Sequence, residues 1–124
     1  MRYGSATLLT NGSMSSNIFS TGLDLQQDWI YSIQALWSGS ALGTLKLQIS
    51  NDNVVVKPAG AVDPAVNVVN WTDYTGSLSS TSGAAGSSNF MWNVLYPGYR
   101  WVRAAYVNAS GSGALTIQYF GKSN

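Results

Sequence analysis

The chain has 124 residues, and its six Lys and Arg against five Asp give a formal charge of +1. This length predicts one domain, residues 1–124, with a real hydrophobic core. Only 9% of the residues are charged, against about 25% in typical globular domains, so a nucleic-acid partner is not expected. His, Glu and Cys are absent from the sequence, which removes the commonest general base, the reactive thiol and the usual zinc ligands. We therefore expect no enzymatic activity, no cofactor and no metal site.

Six segments are rich in apolar, β-branched or aromatic residues and are bounded by turn residues, which predicts strands. Four of them alternate with a period of two, whereas 29–38 is nearly continuously apolar or uncharged. In chain order they are residues 4–10, 29–38, 44–50, 90–95, 99–107 and 114–120. Weaker candidates are a brief extended piece at 22–25, an edge strand at 54–57 and a strand at 66–74. With no convincing helix, about seven or eight strands are typical of an antiparallel β-sandwich or barrel.

The clearest pattern lies at residues 99–122, where two alternating runs flank the turn segment 108–113 (NASGSG). This arrangement predicts an antiparallel hairpin. In the first run Trp101 and Arg103 share a face, and we assign that face to the interior. A buried Arg needs a partner, so we expect a structural ion pair between Arg103 and Asp73 or Asp28, and a structural role for Trp101.

Two polar stretches are expected to reach beyond the sandwich. Residues 1–21 predict an extended N-terminal arm laid on a neighbouring protein, with Ile18 and Phe19 as apolar anchors. Residues 76–88 (GSLSSTSGAAGSS) predict a low-complexity contact loop that becomes ordered on binding, with Leu78 as its only anchor. Ile18, Phe19 and Leu78 are therefore predicted interaction residues.

The five tryptophans allow a second interpretation, because planar aromatic rings on a sandwich face can stack on sugar rings. Trp37 and Trp71 lie near strand ends and are the best candidates for exposure, so they join the predicted interaction residues. The competing interpretation places the tryptophans in the core or in a subunit interface, where aromatic residues are also enriched.

One turn could contribute to a calcium site. Residues 50–53 (SNDN) offer several oxygen atoms, but calcium takes about six to eight oxygen ligands. A second segment with Asp63 or Asp73 would have to converge on the turn, so a bound ion is a minor alternative.

The order of several segments resembles a family of small all-β virion proteins of tailed bacteriophages. These segments are SIQALWSGSALGTLKLQISND (32–52), WTDY (71–74), FMWNV (90–94) and YRWVRAAYVNASGSGALTIQYFGK (99–122). A Ser-Asn-Asp turn followed by a Trp and an Arg-rich strand also resembles the discoidin-type sandwich. The resemblance implies an all-β fold with a single antiparallel β-sandwich of the jelly-roll type.

The same resemblance implies a structural virion protein, namely a capsid cement or decoration protein that stabilises the head shell. Its expected partners are the major capsid protein or other virion proteins, and further copies of itself in a homo-oligomer. The alternatives are a structural protein of the phage tail, fibre or baseplate, and a carbohydrate-binding module. No segment has the pattern of a signal peptide or the roughly 20 apolar residues of a membrane span. We therefore expect synthesis in the host cytoplasm, a location in the virion and no membrane partner.

Overall fold

The computed structural model describes residues 2–25, 28–52 and 68–123, and these residues form only strands and their connections. The strands are β1 (Arg2–Ser13), β2 (Ile18–Phe19), β3 (Leu23–Asp24), β4 (Asp28–Gly39), β5 (Leu42–Ser50), β6 (Thr72–Asp73), β7 (Ser79–Ser82), β8 (Ser87–Leu95), β9 (Trp101–Ser110) and β10 (Gly113–Ser123). Within these ranges there is no helix long and apolar enough to cross a membrane. The candidate strand at 54–57 lies outside the described residues, and of the candidate at 66–74 only β6 is seen as a strand.

The strands form two antiparallel sheets. The four-stranded sheet has the order β1-β10-β4-β8, and the six-stranded sheet has the order β2-β9-β5-β6. In the second sheet the short strands β2 and β3 pair with the same edge of β9, and β6 and β7 pair with the same edge of β5. If each of these two pairs is counted as one strand, the sandwich has eight strands. When these eight strands are numbered in chain order, one sheet has the strand order 1-8-3-6 and the other has the order 2-7-4-5. This is the strand order of a jelly roll. The prediction of an all-β antiparallel sandwich is confirmed.

The core lies between the two sheets and follows the alternation of the sequence. Leu45 and Leu47 of β5 and Ile33 of β4 are fully buried, and Leu115 and Ile117 of β10 pack in the same cluster. Their neighbours along each strand point outward, as expected for sheets with one buried face. β4 lies between β10 and β8 inside the four-stranded sheet. Its residues Tyr31, Ile33 and Ala35 are buried in the core, and the residues between them are only partly buried.

The predicted hairpin at 99–122 is wrong in its pairing, although both strands exist. β9 pairs with β5 in the six-stranded sheet, whereas β10 pairs with β1 and β4 in the other sheet. The connection therefore crosses between the sheets. At Gly111, with φ of +78°, the backbone runs so close to the carbonyl of Ser40 that a side chain would collide with it. Alternation identifies a strand but does not identify its partner.

Residues 2–13 lie in the sandwich rather than in an arm. They form β1, which pairs with β10 from Arg2 to Ser13, with two register shifts on the way. Met14 follows and is fully buried in the core. Ile18 and Phe19 then form β2 on the edge of β9. The N-terminal segment is therefore an integral edge of both sheets.

The low-complexity segment 76–88 is held by hydroxyl groups and not by Leu78, which is 68% exposed. The Thr81 hydroxyl donates to the carbonyl of Ala41 at 2.9 Å and accepts from the N–H of Gly43 at 2.9 Å. The Ser77 hydroxyl accepts from the N–H of Leu47 at 3.0 Å. These bonds place β7 on β5, so this part of the segment is ordered within the chain itself.

Candidate functional site

The outer face of the four-stranded sheet carries an uncharged surface that we call the neutral face. It consists of Ser5, Thr7, Ser32, Gln34, Met91, Gln118 and Phe120. The register aligns Thr7 with Gln118, Gln118 with Gln34, and Gln34 with Met91, so one row crosses all four strands. The next row aligns Ser5 with Phe120 and Phe120 with Ser32.

The neutral face forms a shallow groove of about 500 Å³. Hydroxyl and amide groups line about half of it, and Phe120 and Met91, exposed by 42% and 46%, add apolar surface. A second groove of about 390 Å³ lies farther along the same sheet and includes Trp37, Asn89 and Thr116. The residues that line either groove carry no charge, so contacts made there depend on shape, hydrogen bonds and apolar burial.

The outer face of the six-stranded sheet carries a cation between aromatic rings, which we call the Arg103 stack. The Arg103 guanidinium lies 4.3 Å from the centroid of the Phe19 ring and 4.4 Å from that of Trp71. Its Nε donates to the Gln48 side-chain oxygen at 2.8 Å. Partial burial lowers the pKa of Arg103 from its ordinary value, but an Arg in a protein stays charged.

The placement of Arg103 corrects two expectations. Arg103 lies on the outer face, because the alternate β9 residues Val102, Ala104 and Tyr106 face the core. The partner of its guanidinium is Gln48 and not Asp73. The Asp73 carboxylate instead accepts from Gln48 at 3.0 Å and from the Lys46 ammonium at 2.9 Å. These two bonds, with that from Gln48 the stronger cause, lower the pKa of Asp73.

The other expected partner of Arg103, Asp28, accepts a hydrogen bond from the Tyr119 hydroxyl. Tyr119 stacks on Tyr31, whose hydroxyl bonds to that of Tyr99. Burial, with the Tyr99 hydroxyl as the next cause, raises the pKa of Tyr31 well above its ordinary value. Tyr31 and Tyr119 belong to the core, and Tyr99 packs against it.

Trp101 is almost fully buried, at 1% exposure. It lies in a second, smaller cluster with Val68, and Trp71 packs against that cluster. The Trp101 indole N–H donates to the backbone carbonyl of Asp52 at 3.0 Å. Trp71 is half-buried, because it contacts both this cluster and the Arg103 stack.

The Asp52 side chain joins the end of β5 to the segment at residues 69–70. Its carboxylate accepts the N–H groups of Val69 and Asn70 at 2.7 and 3.0 Å and the Asn70 side-chain amide at 2.9 Å. These bonds lower the pKa of Asp52, with the N–H of Asn70 as the largest cause. Among the described residues no group of carboxylates converges on a site for a metal ion, and Asp63 lies outside the described residues.

The structure distributes the predicted interaction residues over different surfaces. Trp37 packs partly against the core and lines the second groove. Phe19 and Trp71 meet in the Arg103 stack, while Ile18 is half-buried against the core. Leu78 is exposed on the connection that leads into β7. The site residues are therefore not one cluster, and their roles in binding stay predictions.

The neutral face was not identified from the sequence. Its residues come from four strands that are distant along the chain, and each is an ordinary outward position in an alternating strand. One signal was present: the outward positions of residues 87–95 and 114–120 are uncharged. An outward position on an exposed strand more commonly carries a charged or strongly polar residue.

Comparisons with known proteins show what the fold is similar to. A scan against protein-family models finds no match, and neither does a search of curated proteins. Among solved structures, the SPBc2 prophage-derived protein YomS matches with a TM-score of 0.54 at 13% identity, over 97% of this chain and 92% of that one. A structure described as "CBM4 structure and function" matches with a TM-score of 0.46 at 15% identity, over 98% of this chain and 68% of that one. The chain therefore shares its all-β fold, across nearly the whole of both chains, with a prophage-derived protein.

Proposed function

We propose that the chain is a structural protein of a bacteriophage particle, and specifically a decoration or cement protein that binds the head shell and stabilises it. The observation that carries the proposal is the neutral face. Its centre combines Met91 and Phe120 with amides and hydroxyls and has no charge. Protein interfaces show this composition at their centre, where Met and aromatic residues are enriched and Lys, Glu and Asp are depleted.

Two further observations support a particle component. The fold is similar over nearly its whole length to that of a protein described as prophage-derived. Only 9% of the residues are charged, and a surface with few charges suits a protein that is covered by neighbours rather than dissolved alone. A repeated shell also multiplies modest contacts, because many copies bind at equivalent positions. The proposed partner is the major capsid protein.

The decisive experiment counts copies of the chain by quantitative mass spectrometry in purified particles from a strain that carries the gene. A copy number in simple ratio to the major capsid protein supports the decoration role. A count of a few copies per particle favours the alternative of a tail, fibre or baseplate protein. Absence from the particles contradicts both roles.

A binding experiment tests the neutral face directly. Shells that lack the protein are mixed with purified chain, and the bound fraction is measured after sedimentation. Thr7→Lys places a charge in the groove and should abolish binding, because the charge would have to be desolvated in the contact. Ser15→Lys adds the same charge in the exposed turn after β1 and should leave binding unchanged. Equal binding by both variants would contradict the assignment of the neutral face.

A carbohydrate-binding module is the second candidate, and one observation favours it. The groove places hydroxyl and amide groups beside the exposed Phe120 ring, and such sites hold ligands through a few polar groups and apolar surface. Affinity electrophoresis against neutral polysaccharides tests this candidate. Retarded migration that is lost in Phe120→Ala but kept in Leu78→Ala would support it. The same assay on Trp37→Ala and Trp71→Ala tests the tryptophans predicted from the sequence, with circular dichroism to confirm folding.

A further inference from the structure

The open edge of β8 differs from the other sheet edges. β8 pairs with β4 through nine consecutive residues, from Ser87 to Leu95, with no register shift. Among the described strands none pairs with its other side. The opposite edge, β1, has two register shifts, and β2, β3, β6 and β7 along the six-stranded sheet have two to four residues each. In the described part of the sandwich, β8 is thus the long and regular edge.

β8 also lacks the features by which proteins protect such an edge. An open edge presents a row of N–H and C=O groups that can pair with another strand, and natural edges are commonly blocked by Lys, Pro or a bulge. No charged residue occurs in the sequence between Asp73 and Arg100. Pro97 lies beyond the end of β8, and the strand has no bulge. Nothing in the sequence of β8 therefore opposes pairing.

Apolar side chains continue from this edge on both faces of the sheet. Met91 and Leu95 point outward with exposures of 46% and 64%, and Phe90 is exposed by 37% on the other face. Beyond the strand, the rings of Trp29 and Tyr96 meet edge to face at 5.6 Å and are exposed by 49% and 68%. Large apolar side chains exposed together at one sheet edge are typical of a contact surface.

A second copy of the same chain fits this edge. Antiparallel pairing of two identical strands about a two-fold axis is self-complementary, because each residue contact occurs twice. Since the strand is uncharged, the two copies meet without like-charge repulsion. The pairing uses all of β8 when the axis passes through its central residue, Met91. In that register Phe90 of one copy lies opposite Trp92 of the other.

We propose that two copies of this chain associate by antiparallel pairing of their β8 strands about a two-fold axis at Met91. The two four-stranded sheets then form one sheet of eight strands, and their neutral faces become continuous. This association goes beyond the proposed role in a phage particle and does not depend on it. The dimer forms in solution from the chain alone, so its failure would be distinguishable from a failure to bind a shell.

The sequence contains no Cys, so single-cysteine variants report the register directly. Residues opposite each other in an antiparallel pair have Cα atoms about 4.5–5.5 Å apart, which lies within the range of about 4.4–6.8 Å for a disulfide. Met91→Cys should therefore form a disulfide-linked dimer rapidly on mild oxidation. Thr10→Cys, on the exposed edge β1, is the matched control and should remain monomeric. Cross-linking of Met91→Cys no faster than Thr10→Cys would overturn the proposal.

A mixing experiment separates this register from random collision. With the axis at Met91, position 89 of one copy lies opposite position 93 of the other. Asn89→Cys and Asn93→Cys should each cross-link poorly alone but should form a mixed dimer when combined. Equal cross-linking in all combinations would contradict the proposed register.

Analytical ultracentrifugation of the unmodified chain and of Met91→Lys measures the monomer–dimer equilibrium without cross-linking. The unmodified chain should sediment as a dimer at high concentration. Met91→Lys places two ammonium groups side by side at the axis and should shift the dissociation constant upward by at least about tenfold. Circular dichroism confirms that Met91→Lys folds. A monomer at all concentrations for the unmodified chain would contradict the proposal.

Discussion

The Arg103 guanidinium lies 4.4 Å from the centroid of the Trp71 ring, although the two residues are 32 positions apart in the sequence. Arg103 belongs to β9, and Trp71 precedes β6, which is separated from β9 by β5. Phe19 reaches the same cation from β2 on the other side of β9. The stack therefore connects β2, β9 and the segment before β6 across the outer face of the sheet.

Arg103→Lys should destabilise the chain, because a lysine ammonium cannot stack as a planar group or keep the same bond to Gln48. Each cation–π contact at a partly exposed site contributes about 0.5–1 kcal/mol, so we expect a loss of about 1 kcal/mol in the free energy of unfolding. Urea denaturation measures it. In a double-mutant cycle, the loss of stability in Arg103→Lys with Trp71→Leu should be smaller than the sum of the two single losses. Single losses that simply add would contradict the stack.

Thr81→Val should destabilise the chain more than Leu78→Ala. The valine keeps the shape of Thr81 but leaves the N–H of Gly43 and the carbonyl of Ala41 without the hydroxyl that they bond. Loss of one partner from a buried polar group costs about 1–3 kcal/mol. Leu78 is exposed, and its truncation should change the free energy of unfolding by less than about 0.5 kcal/mol. Urea denaturation of both variants compares them, and the reverse ranking would show that Leu78 anchors the segment.

Asp52→Asn should lower the melting temperature at neutral pH. It should also make the melting temperature fall less steeply as the pH becomes acidic. The lowered pKa of Asp52 means that the folded carboxylate binds fewer protons than the unfolded one. Its contribution to stability is therefore present above its unfolded pKa, about 3.9, and is lost as the pH falls through the lower folded pKa. Melting curves at a series of acidic pH values test this. Ser16→Ala, in an exposed turn, should keep the slope of the original chain.

Tyr31→Phe should reduce the sensitivity of the fold to alkaline pH. The raised pKa of Tyr31 keeps its hydroxyl protonated in the folded state. Its contribution is therefore fully present below the unfolded pKa of about 10 and is lost as the pH rises above that value. We expect Tyr31→Phe to be less stable at neutral pH, since it loses the bond to Tyr99, but to lose less stability on going to alkaline pH. A parallel loss in both proteins, measured by urea denaturation, would contradict this assignment.

The sequence by itself determined the strands and their buried faces. Leu45 and Leu47, and Leu115 and Ile117, alternate with polar neighbours, and all four are buried as that alternation predicts. This part of the fold is local information, because a strand places successive side chains on opposite faces whatever its partner is. The class of an all-β sandwich follows from several such strands without helices.

Only the tertiary structure decided which strands pair and which face of β9 is buried. β9 and β10 are neighbours in sequence but belong to different sheets, so the outward position of Arg103 depends on Val102 and Tyr106 meeting the opposite sheet. The bonds of Thr81 to Ala41 and of Asp52 to Asn70 likewise join residues that are 40 and 18 positions apart. Such contacts depend on the closure of long loops and on competition among many possible partners. The alternation within one segment therefore does not predict which distant residues it will contact.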